Sequence, residues 1–378
     1  MNAITPRENL LHLLRGDTPQ WMPCSINVWQ WFEHHRKFAT LPPELAHATN
    51  RLDVMRHLGC DLFVRTACGV HAHHEGEPPQ VTQEPGAMGP RHVTTIATPH
   101  GTLRSISEEQ TQYTSNYQVE DLIKDWDTDR RALLWHEDRT RFGFDPTGFV
   151  KADGDVGDDG VVLCSLPATP LKHLHHVFGL DGACLFVLDH PDDAKALCDL
   201  YWSRLRPALS QLAEQPGVAA VCFEDNVDTP FYPPGIIDRY WVPYVREAAD
   251  LFGERGVAVF VHACGKLHDL LPAFRDAGVS GLDGMPHPPL GDFTVEDAAA
   301  LGDRFIYDGG FSAHEQVTMN DDAFDRHYER FFAELDGRRG FIFAAACQTA
   351  ITTPWTRIQK AVATARAYGG APVRPAAA

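Results

Sequence analysis

The feature that most constrains this chain is a short apolar run that recurs eight times, with helix-like stretches between most of the copies. The runs are MPCSI (22–26), CDLFVRT (60–66), GVVLCSL (160–166), GVAAVCFE (217–224), GVAVFVHA (256–263), GVSGLDGM (278–285), RFIYDGG (304–310) and GFIFAAAC (340–347). Short runs rich in Val, Ile, Leu and Phe read as strands buried on both faces. Helical patterns fall at 193–214, 235–253, 268–276, 294–301, 321–336 and 355–367. Strands alternating with helices build parallel βαβ units. Eight in succession predict an α/β fold, the (β/α)8 TIM barrel, as one domain over 1–370 with a disordered Pro/Ala tail at 371–378.

The alternation breaks once, between strands two and three. RHVTTIATPHGTLRSISEE (91–109) alternates like a hairpin around His100 and Gly101, which predicts a β-ribbon insertion over 78–118 beside the barrel mouth. Before strand three, ADGDVGDDG (152–160) is acidic but lacks the flanking helices and terminal Glu of an EF-hand, so it reads as a solvated turn.

Composition removes several classes of partner. A formal charge of −18 argues against nucleic acid and against an anionic membrane surface. No stretch approaches the length of a membrane span, and the N-terminal residues have no apolar targeting core. Nine scattered cysteines, an odd number, are no disulfide framework and suit a reducing cytoplasm.

Catalytic groups of such barrels sit at the C-terminal ends of the strands. Here strand two runs out into Arg65, Cys68, His71, His73 and His74, and strand four into Glu224, Asp225 and Asn226. Strand five ends in His262 and Cys264; strand six carries Asp283 and is followed by His287. Strand seven ends in Asp308 and strand eight in Cys347 and Gln348. The strand starts are mostly glycine and apolar. Glu224, Asp225 and Asp308 are therefore the expected catalytic groups, and Trp29, Arg65, His71, Asn226 and His287 the expected substrate contacts. Trp29, Trp31 and Phe32 after strand one suit an apolar substrate or the core equally well. The histidines at 71, 73 and 74 read as an exposed loop in preference to a second metal site.

The stretch FVHACGKL (260–267) is the sharpest signal. A strand that ends in His-x-Cys-Gly presents an imidazole and a thiol at the rim, and the glycine turns the chain toward the next helix. Cys347 can join them only over the mouth. Two thiolates and one imidazole are a zinc ligand set, and three protein ligands leave a fourth position open, as catalytic zinc requires. Cys164, Cys184, Cys198 and Cys222 read as small buried hydrophobes.

Four segments carry a family resemblance: RENLLHLLRGDTPQWMP, DTPFYPPGIIDRYWVPYVREAAD, VHACGKLHDLLPAFRDAGVSGLDG and CQTAITTPWTRIQKAVATARAYG. Together they make the chain resemble the uroporphyrinogen decarboxylase superfamily, and within it the zinc-dependent, corrinoid-linked methyltransferases. The decarboxylases proper carry an arginine-rich loop after strand one. This chain has SINVWQWFEHHRKF there, and Cys347 where they have His-Gly. The resemblance implies zinc on His262, Cys264 and Cys347, with Glu224 as a candidate fourth ligand. It also implies methyl transfer between a small methylated substrate or thiol and a corrinoid. The nearest approach to a D-x-H-x-x-G cobalamin signature is Asp325-x-His327, with Arg330 where glycine is needed. The corrinoid is thus expected free or on a separate protein. Other expected partners are a small methyl donor or thiol acceptor and a second copy of the chain in a homodimer. The alternatives are a decarboxylase-like lyase and a non-catalytic binding barrel.

Overall fold

A computed structural model describes residues 4–372 apart from 112–114, 286, 336, 337 and 339. Most of the predicted tail, 373–378, lies outside the described residues. Eight parallel strands form one sheet: Cys24–Ser25, Leu62–Ala67, Gly160–Leu166, Ala220–Phe223, Ala258–His262, Gly281–Met285, Ile306–Phe311 and Phe341–Ala345. They correspond one to one with the eight apolar runs. Strands two to eight hydrogen-bond in sequence order and strand one pairs with strand eight, which leaves the seam between strands one and two without a ladder among the described residues.

The seam is closed mainly by side chains. Ser25 Oγ donates to Phe63 O at 3.1 Å and accepts from Phe63 N at 3.0 Å. Cys24 N donates to the buried Asp61 carboxylate at 3.0 Å, and Asp61 N donates to Cys24 O at 2.8 Å. Strand one is only two residues long because Pro23, which has no N–H, cannot extend the ladder.

The barrel interior follows the two-residue period of the strands. Phe63, Leu163, Cys222, Phe260, Ile306 and Ile342 pack as one apolar cluster. The helix Pro6–Leu14 closes its lower end with Leu10 and Leu13. Burying each large member stabilises the fold by about 1.5–3 kcal/mol. Two residues further along the same strands, the inward positions are Arg65, Ser165, Glu224, His262, Asp308 and Ala344, with Asp283 two beyond Gly281. One packed apolar layer therefore carries one almost wholly polar layer on its C-terminal side, as the layered barrel architecture provides.

The insertion is larger than a ribbon. Its centre is the expected hairpin, Pro90–Thr98 with Gly101–Gln110, and the strands Gln80–Pro85 and Ser115–Glu120 extend it to four antiparallel strands. Residues 112–114 of the expected ribbon lie outside the described residues. Val93, Ile96, Leu103 and Ile106 form its buried face.

Three expectations are corrected, and one helix is added. The acidic stretch 152–160 is not a solvated turn: residues 152–156 finish the helix Thr147–Val156, and 157–159 form a 3-10 turn. Its carboxylates have partners, Asp153 with Arg7 at 2.8 Å and Asp159 with Arg56 at 2.7 Å. The helix expected over 235–253 is two helices, Pro234–Tyr240 and Val242–Gly253, because Pro243 in the first turn of the second cannot continue the first. The 170–189 stretch forms a further helix, broken at Gly179 (φ 73°), whose glycines masked its periodicity. The histidines at 71, 73 and 74 lie on a strand, Val70–His74, paired with Thr140–Phe144, and not on a loop.

Candidate active site

Adjacent strands five and six place His262 directly beside Asp283 in register. His262 Nδ1 lies 2.9 Å from Asp283 Oδ2, which also accepts from Arg65 Nη1 at 2.6 Å. This fixes the imidazole so that Nε2 faces the mouth, 3.7 Å from Cys347 Sγ. Strand six makes room for the ring at Gly284, which has φ +78°; a Cβ there would lie 2.5 Å from His262 Cε1. The strand is irregular between Leu282 and Met285, a bulge of the kind that re-aims side chains beside a site.

Cys264 and Cys347 stand close enough for each thiol to shift the other. Cys264 Sγ is also 3.4 Å from Asn226 Oδ1. Asn226 has φ 51°, uncommon for a residue with a Cβ, and its backbone N–H donates to His262 O at 2.9 Å. Its side-chain amide offers both a donor and an acceptor, so it can meet Cys264 as thiol or thiolate. Gly265, which follows Cys264, has φ +124°, and a Cβ there would lie 2.4 Å from the Asp228 carboxylate. That glycine is what lets the chain turn immediately after the thiol.

The electrostatics follow from these contacts. The nearness of the thiols holds Cys264 below its ordinary value and, with burial, pushes Cys347 up to about 12. Burial lowers the His262 imidazole, but its bonds to Asp283 and Cys347 outweigh that and raise it to about 9. Burial pushes Asp283 up, and Arg65 and His262 together bring it below the usual carboxylate range. For Asp308 the same two cations are not enough. Burial and then the charge of Asp283 raise it well above the carboxylate range. Its Oδ1 is buried without a hydrogen-bond partner among the described residues. Asp308, Asp283, Arg65 and Cys347 line one small cavity of about 30 Å3 with Ser25 and Asn27.

The structure gathers His262, Cys264, Cys347, Asn226, Arg65, Glu224 and Asp308 at the mouth and places Asp225, His71 and His287 elsewhere. Glu224, its side chain 44% exposed, bonds to Ser165 and stands 3.7 Å from Arg65 Nε. Asp225 is buried, with one oxygen accepting from Trp241 Nε1 at 2.7 Å and the other from Thr169 N at 3.2 Å. It ties strand four to two helices. Trp31 and Phe32 are core, whereas Trp29 is exposed at the start of the helix Trp29–Lys37. His71 bonds to Gly69 O at 3.0 Å, on the strand beside His73. His287 is buried behind the strands, its Nε2 3.1 Å from Glu315.

Two site residues escaped assignment from sequence. Asp283 was visible as a charge within an apolar run, which is itself the signal of a buried partner. Lys172 gave no signal. It sits in the first turn of the helix Pro170–Asp189; burial lowers it, and the charges of Asp225 and Cys264 oppose that.

Residues 158–368 match the family model described as uroporphyrinogen decarboxylase (URO-D). No curated protein matches the sequence. Among solved structures, a methyltransferase from Methanosarcina mazei is similar over 97% of this chain and 99% of that one, at 14% identity and a TM-score of 0.59. That is a likeness of fold. D-psicose 3-epimerase from Clostridium cellulolyticum H10 aligns with 59% of this chain and 82% of that one, at 11% identity and a TM-score of 0.36, and supports no argument.

Proposed function

This chain belongs to the uroporphyrinogen decarboxylase family, and from that premise we propose that it is a zinc-dependent methyltransferase acting between a small thiol or methylated substrate and a corrinoid. The carrying observation is the convergence of one imidazole and two thiols from strands five and eight over the mouth. His262 and Cys347 already stand near ligand spacing, while the donor atoms of His262, Cys264 and Cys347 do not all lie within 4.8 Å of one another. Ligands held at about 2.0–2.3 Å around a tetrahedral zinc stand roughly 3.5 Å apart, and the His262–Cys347 separation is 3.7 Å. The Asp283–His262 bond supplies the carboxylate–histidine orientation typical of such ligands.

Zinc bound to His262, Cys264 and Cys347 would supply Lewis acidity that keeps a substrate sulfur deprotonated at neutral pH. The chain's own residues do the rest. Asp283 holds the imidazole and Arg65 holds Asp283. Asn226 fixes Cys264, and Glu224 stands open at the mouth to accept the thiol proton or to complete the site. Asp308, kept protonated by burial, can donate a hydrogen bond into the cavity. Trp29 at the rim offers an apolar surface to the substrate. In the thiol-methylating direction the acceptor would lose its S–H proton, which Glu224 is placed to take, and a corrinoid would supply the methyl group and retain the electron pair of the bond it gives up.

The corrinoid comes from outside the chain. In the nearest cobalamin-like stretch, Asp325 is paired with Lys360 at 2.6 Å and His327 is half-buried against Glu315. The test is single-turnover methylation of small thiols by methylcobalamin, with and without stoichiometric zinc. Zinc-independent turnover, or none with any thiol or methylated donor, would refute the proposal. The same structure disfavours the lyase reading, because the segment after strand one is a helix whose inner face is Trp31 and Phe32 in place of an arginine grip.

A further inference from the structure

We infer that His287, Glu315 and His327 form a second binding site for a divalent first-row transition metal, on the flank of the barrel and independent of the thiol cluster. One nitrogen from each imidazole and one carboxylate oxygen lie within 4.8 Å of one another. His287 Nε2 is 3.1 Å and His327 Nε2 3.8 Å from the same atom, Glu315 Oε1. Nitrogen and oxygen ligands at about 2.0–2.1 Å around a tetrahedral ion stand roughly 3.3–3.4 Å apart. The triangle is therefore already near ligand spacing.

Three segments bring the ligands together. His287 opens the segment after strand six. Glu315 occupies the third position of the helix Ala313–Val317, where its Oε2 accepts from Ser312 N at 2.7 Å as a helix cap. The cap uses one carboxylate oxygen and leaves Oε1 aimed at the two rings. His327 sits on the inner face of the helix Asp321–Glu334 among Phe324, Tyr328 and Phe331, its ring stacked on His287 at 5.1 Å and 20°.

A plain buried His–Glu contact would explain only part of this. It accounts for His287 Nε2, but His327 Nε2, His287 Nδ1 and Tyr307 Oη are also buried, without hydrogen-bond partners among the described residues. Buried polar atoms are rarely left in that state. His287, His327 and Tyr307 line a cavity of about 300 Å3, with room for water as a further ligand. Two imidazoles and one carboxylate suit Zn2+, Co2+, Fe2+ or Mn2+ and not the all-oxygen shells of Ca2+ or Mg2+. A metal would also give the fully buried Glu315 a counter-charge, and an unpaired carboxylate there would be costly.

The test is metal content after loading with Zn2+ and desalting, with Co2+ as the spectroscopic probe. Two equivalents are expected in the full chain. Cys264→Ser/Cys347→Ser should lose one equivalent and the thiolate-to-cobalt charge-transfer bands while keeping weaker d–d absorption. His327→Gln should lose the other and keep the charge-transfer bands. The double variant leaves the helix Asp321–Glu334 untouched, so it decides the matter even if His327→Gln misfolds. A folded double variant that retains no metal, or a His327→Gln protein with unchanged content, overturns the inference. A single equivalent without charge-transfer bands, removed by His327→Gln, would support this site and count against the thiol one.

Discussion

Asp283→Asn is the substitution that best separates the architecture of the site from its chemistry. Asp283 is largely buried and accepts from Arg65 at 2.6 Å and from His262 at 2.9 Å. The amide keeps the volume and one acceptor oxygen but removes the charge. Breaking a buried pair from one side costs about 3–5 kcal/mol, because the other charge is stranded. Glu224, 3.7 Å from Arg65, remains as a partial counter-ion and holds the cost near the lower figure. With about 2.1 cal/mol/K of unfolding entropy per residue, a chain of 378 residues should lose about 4 °C in Tm for a loss of ~3 kcal/mol. Removing a metal ligand's orienting carboxylate typically weakens binding by about 10–100-fold. Thermal melts of metal-free protein measure the first effect, and chelator competition for zinc measures the second. Adding Arg65→Met to the variant should restore stability, since both buried charges are then gone, but should not restore zinc affinity. A Tm within about 1 °C of the parent together with unchanged zinc affinity would refute the reasoning.

Four further outcomes are expected. Cys264→Ala or Cys347→Ala should each abolish tight zinc binding at the mouth and methyl transfer while leaving Tm nearly unchanged, since a core this large needs no metal staple; full zinc occupancy in Cys347→Ala would remove it from the ligand set. Gly284→Ala must accept φ +78° and a Cβ 2.5 Å from His262 Cε1; it should cost about 1–2 kcal/mol of backbone strain and reduce zinc affinity, read by the same competition assay. Metal-stripped protein should form no coproporphyrinogen from uroporphyrinogen, followed by chromatography of the oxidised porphyrins. Burial raises Glu137, but the charge and hydrogen bond of His173 bring it below its ordinary value. Its folded-state pKa is thus below the unfolded one. The stability it contributes is complete above about pH 4.3 and fades as pH falls through the lower folded value. Glu137→Gln should therefore be destabilised at neutral pH, with the gap narrowing below pH ~4.3 in urea melts; a gap that widens there contradicts the assignment.

What could be read from sequence was whatever local pattern encodes. The eight runs were legible because strands buried on both faces are apolar without interruption. Even the two-residue strand one could be found, though not its length, which depends on Pro23 and the seam to strand two. The outer strands of the insertion were less legible. Gln80–Pro85 is exposed throughout and shows no alternation. The rim residues followed from the rule that function sits at strand C-termini, but their pairing did not. That Asp225 turns toward Trp241 and Thr169, while Glu224 beside it faces the mouth, is decided by side-chain contacts across the fold. Glu315 carried a local signature, Ser312-x-x-Glu315, that marks a helix start. Nothing local announced that its second oxygen would meet His287 and His327.

The proposed thiol chemistry also bears on the charge balance of the polar layer. Its inward positions include three carboxylic acids, Glu224, Asp283 and Asp308, but only one arginine, Arg65. Arg65 is taken up by Asp283, with Glu224 a longer contact on its other side. Asp308 therefore has no cation of its own, and burial beside charged Asp283 leaves it as a neutral acid. The same shortage of cations applies to the thiols. Cys264 is brought down mainly by the neighbouring Cys347, with Lys172 and Arg65 acting at longer range. Under the proposed function these paired thiols suit a soft divalent cation, because metal binding requires and drives the release of their protons. A barrel that filled this layer with further arginines would instead grip carboxylates.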